Sequence, residues 1–371
     1  MKILYIGHYK ENSGWSKAAI DYILALDSIG VDVVCRNIKL TNVNANIPNR
    51  IQQLEQKELS NIDYCIQHVL PHHLVATEKF KKNVAYFVGE TNTIYHLNWF
   101  EQLNNMDEVW VPSTKYKDLL INEGLKNVQC VPHTFDLKKY VKQYPKINFN
   151  EDNDKFKFYY IGEINDRKNI QSIFRCYYSE FTLEDNVLLV VKIRKFGLSP
   201  QQLNEYMQKI TTEIKKELRI YSDLTNYPKE LIITSDFNEE QICALHNSCD
   251  CFVGISHGEA WSIPSFDAMC FGKTPICSNE GGPSEYINKD DYSTGFLVDG
   301  NYEVCVHSDP AFPDLFTGRE EWFNPSESIT KKYMRFALNN KDIIDKNAGL
   351  NNADKFSYNN IGKLIEAKLN D

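Results

Sequence analysis

The chain has 371 residues, 42% hydrophobic and 25% charged, an ordinary soluble composition too long for one small core, so two domains are expected. A formal net charge of −9 argues against a general nucleic-acid binder, and no apolar run approaches the roughly 20 residues of a membrane helix. The charge is uneven: residues 1–150 hold 17 Lys/Arg against 15 Asp/Glu, and the remainder 24 against 35, as suits halves with different tasks.

Taken in chain order, KILYIG (Lys2–Gly7) reads as a first strand; its apolar run is too short for a signal peptide. SKAAIDYILALDSIG then spaces its apolar residues as a helix, with Ser16 as N-cap and Gly30 as stop. VDVVCR, DYCIQHV, NVAYFVGE and EVWVPS follow as strands with helices between them, the pattern of a parallel sheet covered on both faces. The polar stretch 136–155 is the linker candidate. Alternation resumes with FKFYYIGE, NVLLVVKIR, ELIITSD, CDCFVGIS, TPICS and GFLVD, and a long solvent-facing helix starts at SPQQLNEYMQ. Residues 301–325, rich in Pro, Asp and aromatics, read as an irregular insertion, and NIGKLIEAKLND closes the chain as a helix. The ten cysteines are scattered through strand-like contexts with no CxxC pair, as buried thiols of a reducing cytoplasm would be.

Two stretches carry chemistry. Ligands of doubly wound sheets sit at the carboxyl ends of strands, and two such sheets facing each other would enclose a cleft. YYIGEINDRKNI (Tyr159–Ile170) follows a strand ending at Gly162 and sets Arg167 and Lys168 before a helix, which suits an anion such as a diphosphate; two surface cations fit as well. In GISHGEAWSIPSFDAMCFGKTPICSNEGGPSEYI (Gly254–Ile287), Glu259 lies in a loop. Pro264 fits the first helical position, and Asp267 falls in the first helical turn, where an acid also serves the helix dipole. Gly281 and Gly282 would let backbone N–H groups approach a ligand, with Glu285 just beyond. No His/Asp/Glu spacing suggests a metal site.

The second stretch resembles the donor-site segment of GT-B glycosyltransferases, in particular the retaining glycosyltransferase family 4, with its Glu-x7-Glu, small-residue helix and Gly-Gly turn. RKNI, VWVPS (Val109–Ser113), VPHTFD (Val131–Asp136) and SGWSKAA extend the resemblance over most of the chain. GETNTIYHLNWFEQLNNMDEVWVPS and EWFNPSESITKKYMRFA are similar to a subset of that family. The resemblance implies an α/β GT-B fold of two Rossmann-like doubly wound domains facing across a cleft. Residues 1–150 would be the acceptor side and 151–348 the nucleotide-sugar domain, with a helix at 349–371 packing back toward the first.

It further implies that Glu259 contacts the donor sugar, Asp267 the ribose, and Arg167 and Lys168 the diphosphate. His68, His72 and His73 compete for a first-domain histidine near the sugar, His68 being best placed, and His257 beside Glu259 is ambiguous. Gly14, Gly162, Lys192, Gly258, Ala260, Trp261, Gly281, Gly282 and Glu285 would complete the donor site. Two departures stand out: Asp267 replaces a Glu, and Glu163 stands where many members have Arg. The implied reaction is metal-independent transfer, with retention, from a nucleoside-diphosphate sugar to a hydroxyl of a glycan, lipid-linked glycan or small molecule, with no cofactor. Rival readings are an inactive nucleotide-sugar binder and a GT-B-like epimerase. The Asn-, Lys-, Ile- and Tyr-rich composition also fits an AT-rich, including a viral, genome, for which a modified DNA base in the host cytoplasm is a conceivable acceptor. Nucleic acid enters only in that role.

Overall fold

The computed structural model describes residues 1–371 apart from 12, 43, 95–96, 306–316 and 342–346, and for Leu97 the backbone alone. The chain forms two compact units. One comprises Met1–Lys139 and is closed by Ala353–Asp371; the other begins at Tyr140 and takes in Glu321–Asn352. The division falls within the polar stretch 136–155.

In the first unit, β1 (Lys2–Gly7), β2 (Asp32–Asn37), β3 (Tyr64–His68), β4 (Lys82–Tyr86), β5 (Glu108–Val111) and β6 (Val128–Cys130) form a parallel sheet ordered β2-β1-β3-β4-β5-β6. Strand β6 has only three residues, too few to show a pattern in sequence. The helix after β1 spans Gly14–Ser28 and is capped by Ser13, not Ser16: the Ser13 Oγ accepts the Ser16 N–H at 3.2 Å. Ser16 lies inside the first turn, buried, with its hydroxyl donated to the Tyr9 carbonyl at 2.8 Å. Gly30, at φ +87°, supplies the left-handed residue that ends it.

The closing helix Tyr358–Asn370 belongs to this unit's core: Ile361, Ile365 and Leu369 pack with Ile23 and Leu26. Gly362 permits the approach, since a Cβ there would stand 2.8 Å from the Ala25 carbonyl oxygen. Tyr358 donates its hydroxyl to the buried Asp21 at 2.6 Å.

The second unit is again a six-stranded parallel sheet, but in a different strand order. Strands β7 (Phe156–Glu163), β8 (Val187–Arg194), β9 (Glu230–Ile233), β10 (Cys251–Gly254), β11 (Thr274–Ser278) and β12 (Phe296–Val298) form a parallel sheet ordered β12-β11-β10-β7-β8-β9. The near-continuous apolar strands bury Phe158, Tyr159, Val190 and Phe252 on its two faces. The long helix, Pro200–Leu218, opens with a capping box of Ser199 and Gln202. The expected irregular insertion at 301–325 contains a hairpin instead: β13 (Gly300–Val304) pairs antiparallel with β14 (Glu321–Pro325). Their alternation is short and is hidden by the Pro- and Asp-rich residues between them, of which 306–316 lie outside the described residues. All ten cysteines are free thiols.

Burial holds the imidazoles of His8, His68 and His133 neutral. His68 is pushed down to about 3 by burial and by His8; His133 is lowered by burial, then by Lys17, His68 and Lys139. His8 is lowered chiefly by burial. Each folded value lies below the unfolded one of about 6.5, so the unfolded chain binds the extra protons. The associated stability is complete above pH 6.5 and is lost as pH falls toward the folded values. Thermal melts between pH 7 and 5, above the range of ordinary carboxylates, are expected to show a loss of up to about 1.4 kcal/mol per pH unit for each fully shifted imidazole. A flat profile would show that the folded unit protonates these rings freely.

Candidate active site

Strand order reverses between β7 and β10, which are neighbours in the sheet though distant in sequence. The loops leaving their carboxyl ends therefore meet at a topological switch point, the usual ligand position in such sheets. Strand β7 runs through Gly162, where any Cβ would stand 2.3 Å from the Tyr160 hydroxyl. One turn of 3₁₀ helix follows, Asp166–Lys168, capped by Asn165, whose side chain accepts the Lys168 N–H at 3.1 Å. Asn169 then adopts a left-handed conformation (φ 50°) before the helix Ile170–Glu180. Its amide donates to the Ile255 carbonyl at 3.0 Å, tying this loop to the one after β10.

From the β10 side, the carboxylate of Glu259 meets both cations. Lys168 Nζ donates to Oε1 at 2.6 Å. Arg167 Nη1 donates to the Gly258 carbonyl at 2.6 Å and stands 3.6 Å from Glu259 Oε2. The His257 N–H bonds to the Arg167 carbonyl at 2.8 Å, so backbone as well as charge joins the loops. Glu259 is only 9% exposed. Burial pushes its pKa up, but Lys168 and then Arg167 outweigh this and hold it below the ordinary carboxylate value. The group is thus an anion clamped between two cations, one of which makes a short, direct ion pair.

Gly281 and Gly282 pack beneath this arrangement. Gly281 has φ +59°, and a Cβ there would lie 1.9 Å from the Glu259 carbonyl oxygen. A Cβ on Gly282 would lie 2.2 Å from the Trp261 Cα. The sequence suggested that this pair frees backbone N–H groups for a ligand. In the structure the Gly282 N–H is spent on the Glu259 carbonyl at 3.0 Å, because the glycines are what lets the two loops touch. Trp261 is buried against Phe266 and Tyr286, which makes it a packing residue of the loop; Ala260 beside it is half-buried. Glu285 is half-buried in the short helix Pro283–Tyr286.

Asp267 departs from expectation. The helix Ile263–Cys270 starts at Ile263, so Pro264 is its second residue and Asp267 its fifth, beyond the first turn and the reach of the dipole reading. Its side chain is buried, and Oδ1 accepts the Tyr140 hydroxyl at 2.6 Å. Tyr140 also packs edge-on against Phe271. A ribose bound by Asp267 would share that carboxylate with Tyr140. Lys192 lies on β8, in register with Ile161; its ammonium caps the Ile193 carbonyl at 3.3 Å and sits 5.4 Å over the Phe237 ring. His257 stacks flat on Trp322 and bonds through Nδ1 to the Phe323 carbonyl, which anchors β14.

In the first unit, Gly14 is the exposed first residue of its helix. His68 ends β3 fully buried, with Nδ1 2.8 Å from the Tyr5 hydroxyl and its ring among Trp15, Tyr22 and Tyr86. Of the competing histidines, His73 is half-buried and His72 exposed. Three residues escaped the sequence reading. His8, directly after β1, carried a strand-end signal that was there to be read. Tyr140 and Asn169 carried none, since one sits in a polar linker and the other acts through its backbone angle. Among the described residues, no group of three or more His, Cys, Asp or Glu could hold a metal ion.

Residues 143–305 match the family described as glycosyl transferases group 1, a segment that contains Arg167, Lys168, Glu259, Asp267, Gly281 and Gly282, though not Tyr140. No curated protein matches the chain in sequence. Solved structures do match in fold. Anabaena HepE in complex with UDP-glucose has a TM-score of 0.63 at 14% identity, covering 100% of this chain and 99% of HepE. Sucrose-phosphate synthase from Thermosynechococcus elongatus has a TM-score of 0.65 at 13% identity, covering 100% and 98%. The lipopolysaccharide outer core galactosyltransferase WaaB, in its apo form, has 0.63 at 13% identity, covering 99% and 100%. Two doubly wound units and a segment that matches the glycosyl transferases group 1 model and holds the Arg167–Lys168–Glu259 cluster give the chain the GT-B fold that its structural neighbours have.

Proposed function

We propose that the enzyme moves a glycosyl group from a nucleoside-diphosphate sugar, a UDP-sugar foremost, to a hydroxyl-bearing acceptor, with retention at the anomeric carbon and without a catalytic metal. The observation that carries this reading is the Lys168–Glu259–Arg167 cluster at the switch point of the second unit. HepE, bound to UDP-glucose, supports the choice of donor. The second unit would hold the donor and the first the acceptor. Ten free thiols suit a reducing compartment such as the cytoplasm.

In the proposed reaction the bond between the anomeric carbon and the diphosphate oxygen breaks, and its electron pair leaves on the diphosphate. The acceptor oxygen bonds to the same face of that carbon, and its proton passes to a phosphate oxygen. Charge grows on the leaving group through the transition state, so Lys168 and Arg167 act most strongly there. Glu259, kept ionised by the same cations, is an acceptor for sugar hydroxyls. Among the described residues, no second carboxylate in the cluster is placed for double displacement, which favours the single front-face step.

Lys168→Ala is expected to lower turnover on UDP-glucose by on the order of 10²-fold, with a smaller change in UDP affinity. Turnover equal to wild type in a folded Lys168→Ala protein would make Lys168 a structural partner of Glu259 alone.

Exhaustive treatment with EDTA is expected to leave the initial rate unchanged. A loss restored by Mg²⁺ or Mn²⁺ would overturn the metal-free mechanism.

Tyr140→Phe and Asp267→Asn should each destabilise the second unit, with a coupling in the double variant of about 1–3 kcal/mol, the range for a buried hydrogen bond to a carboxylate. Urea melts give that coupling, and calorimetric titration with UDP reads the ribose. Weaker UDP binding in Asp267→Asn but not in Tyr140→Phe would assign the carboxylate to the nucleotide; unchanged affinity in both would assign it to Tyr140.

A further inference from the structure

His257 lies just upstream of Glu259, and its backbone and ring bond in several directions at once. Its N–H donates to the Arg167 carbonyl at 2.8 Å, and its own carbonyl accepts the Phe323 N–H at 3.0 Å. Its ring Nδ1 lies 3.0 Å from the Phe323 carbonyl. A carbonyl can only accept, so Nδ1 carries the proton and donates it. The imidazole also stacks on the Trp322 indole, with centroids 5.5 Å apart and planes within 5° of parallel. Trp322 and Phe323 are buried residues of β14. Both main-chain groups of Phe323 are thus satisfied by one residue, and the second bond exists only because that residue has a side-chain donor.

The other strand of the hairpin grips the neighbouring loop. Tyr302 on β13, opposite Phe323, donates its hydroxyl to Glu280 at 2.7 Å. Glu280 precedes Gly281 and Gly282, and the Gly282 N–H goes to the Glu259 carbonyl at 3.0 Å. The hairpin therefore bears on the loop that carries Glu259 and on the loop packed beneath it. Arg167 stands at the end of these contacts. His257 holds its carbonyl, and Gly258 accepts from its guanidinium at 2.6 Å, so two consecutive residues fix both ends of the arginine. Precision matters there, because a displacement of about 1 Å in a reacting group can cost on the order of 10²-fold in rate.

We propose that His257 is a positioning residue: by donating from Nδ1 to Phe323 it uses the hairpin β13–β14 to hold the Arg167 guanidinium in place for the leaving diphosphate. The catalytic part of this assignment rests on the glycosyl-transfer reading above; the mechanical part, that His257 orders the Arg167 turn, does not. A residue that only filled space would need its flat ring and not its donor. Here the donor decides, since without it the carbonyl of a buried residue loses this partner, a loss that stacking does not replace.

Two measurements on the full chain test the assignment. Hydrogen exchange read by mass spectrometry reports the turn Asp166–Lys168 with no ligand present, and steady-state hydrolysis of UDP-glucose reports the reaction. His257→Phe keeps a flat ring and removes the donor, whereas His257→Asn keeps an N–H at the place of Nδ1 and removes the ring. The Phe variant is expected to exchange faster in peptides covering that turn. Its kcat should fall at least about tenfold while KM moves less than about threefold. The Asn variant is expected to recover the protection and most of the turnover. In an Arg167→Ala background, His257→Phe should lower kcat no further, because it acts through the arginine. Should His257→Phe fail to fold in thermal melts, His257→Gln takes its place, since its amide nitrogen falls at the place of Nε2 and misses the carbonyl. Wild-type exchange and turnover in His257→Phe would overturn the proposal, as would faster exchange with unchanged turnover, or losses that add in the double variant. Losses in His257→Asn equal to those in His257→Phe would overturn it too. A wild type that neither hydrolyses UDP-glucose nor binds UDP in calorimetry, while His257→Phe loosens the turn and His257→Asn does not, would leave the hold on Arg167 standing and refute the glycosyl-transfer reading instead.

Discussion

A carboxylate that is 9% exposed cannot remain ionised on its own, and the second unit is arranged around the cost of burying Glu259. Lys168 meets one oxygen at 2.6 Å, and Arg167 stands near the other while holding the adjacent carbonyl. Removing any member would strand a charge out of water, which is far more damaging than never having buried the group. Much of the nearby irregular backbone follows from this need. Asn169 takes a left-handed conformation so that the cations arrive before their helix starts, and Gly281 does so where any side chain would strike the Glu259 carbonyl. The loops after β7 and β10 are thereby held by charge, backbone bonds and close packing together.

Both units are six-stranded parallel sheets, but their strand orders differ, and so does their chemistry. At the switch point of the second, the groups are charged and cross-paired. At that of the first, imidazoles are kept neutral by burial and the nearby lysines are engaged by acids. The units thus differ both in strand order and in how each buries or pairs its titratable groups.

The closing helix Tyr358–Asn370 shows how chain order and structural unit can part company. Its apolar stripe completes the core of the first unit, with Gly362 permitting contact near Ala25. The Tyr358 hydroxyl also helps to hold Asp21, a carboxyl that burial would otherwise keep far from its ordinary acidity.

The alternating apolar runs were enough to establish two parallel α/β sheets, because strands covered on both faces must be apolar almost throughout. Strand-end position also made Arg167, Lys168 and Glu259 legible, since parallel connectivity directs such residues to one edge of the sheet. What the sequence could not hold was the long-range geometry. Ser13 displaced Ser16 as cap through a one-turn shift that either serine would have allowed. The hairpin β13–β14 lay under an irregular composition, and Tyr140 had no local pattern to announce it. That Asp267 faces Tyr140, that Gly282 spends its N–H on Glu259, and that His8 and Trp15 meet His68 depend on how distant segments pack. Only the tertiary structure decides such pairings, because burial removes water as the alternative partner and forces each polar group to find another.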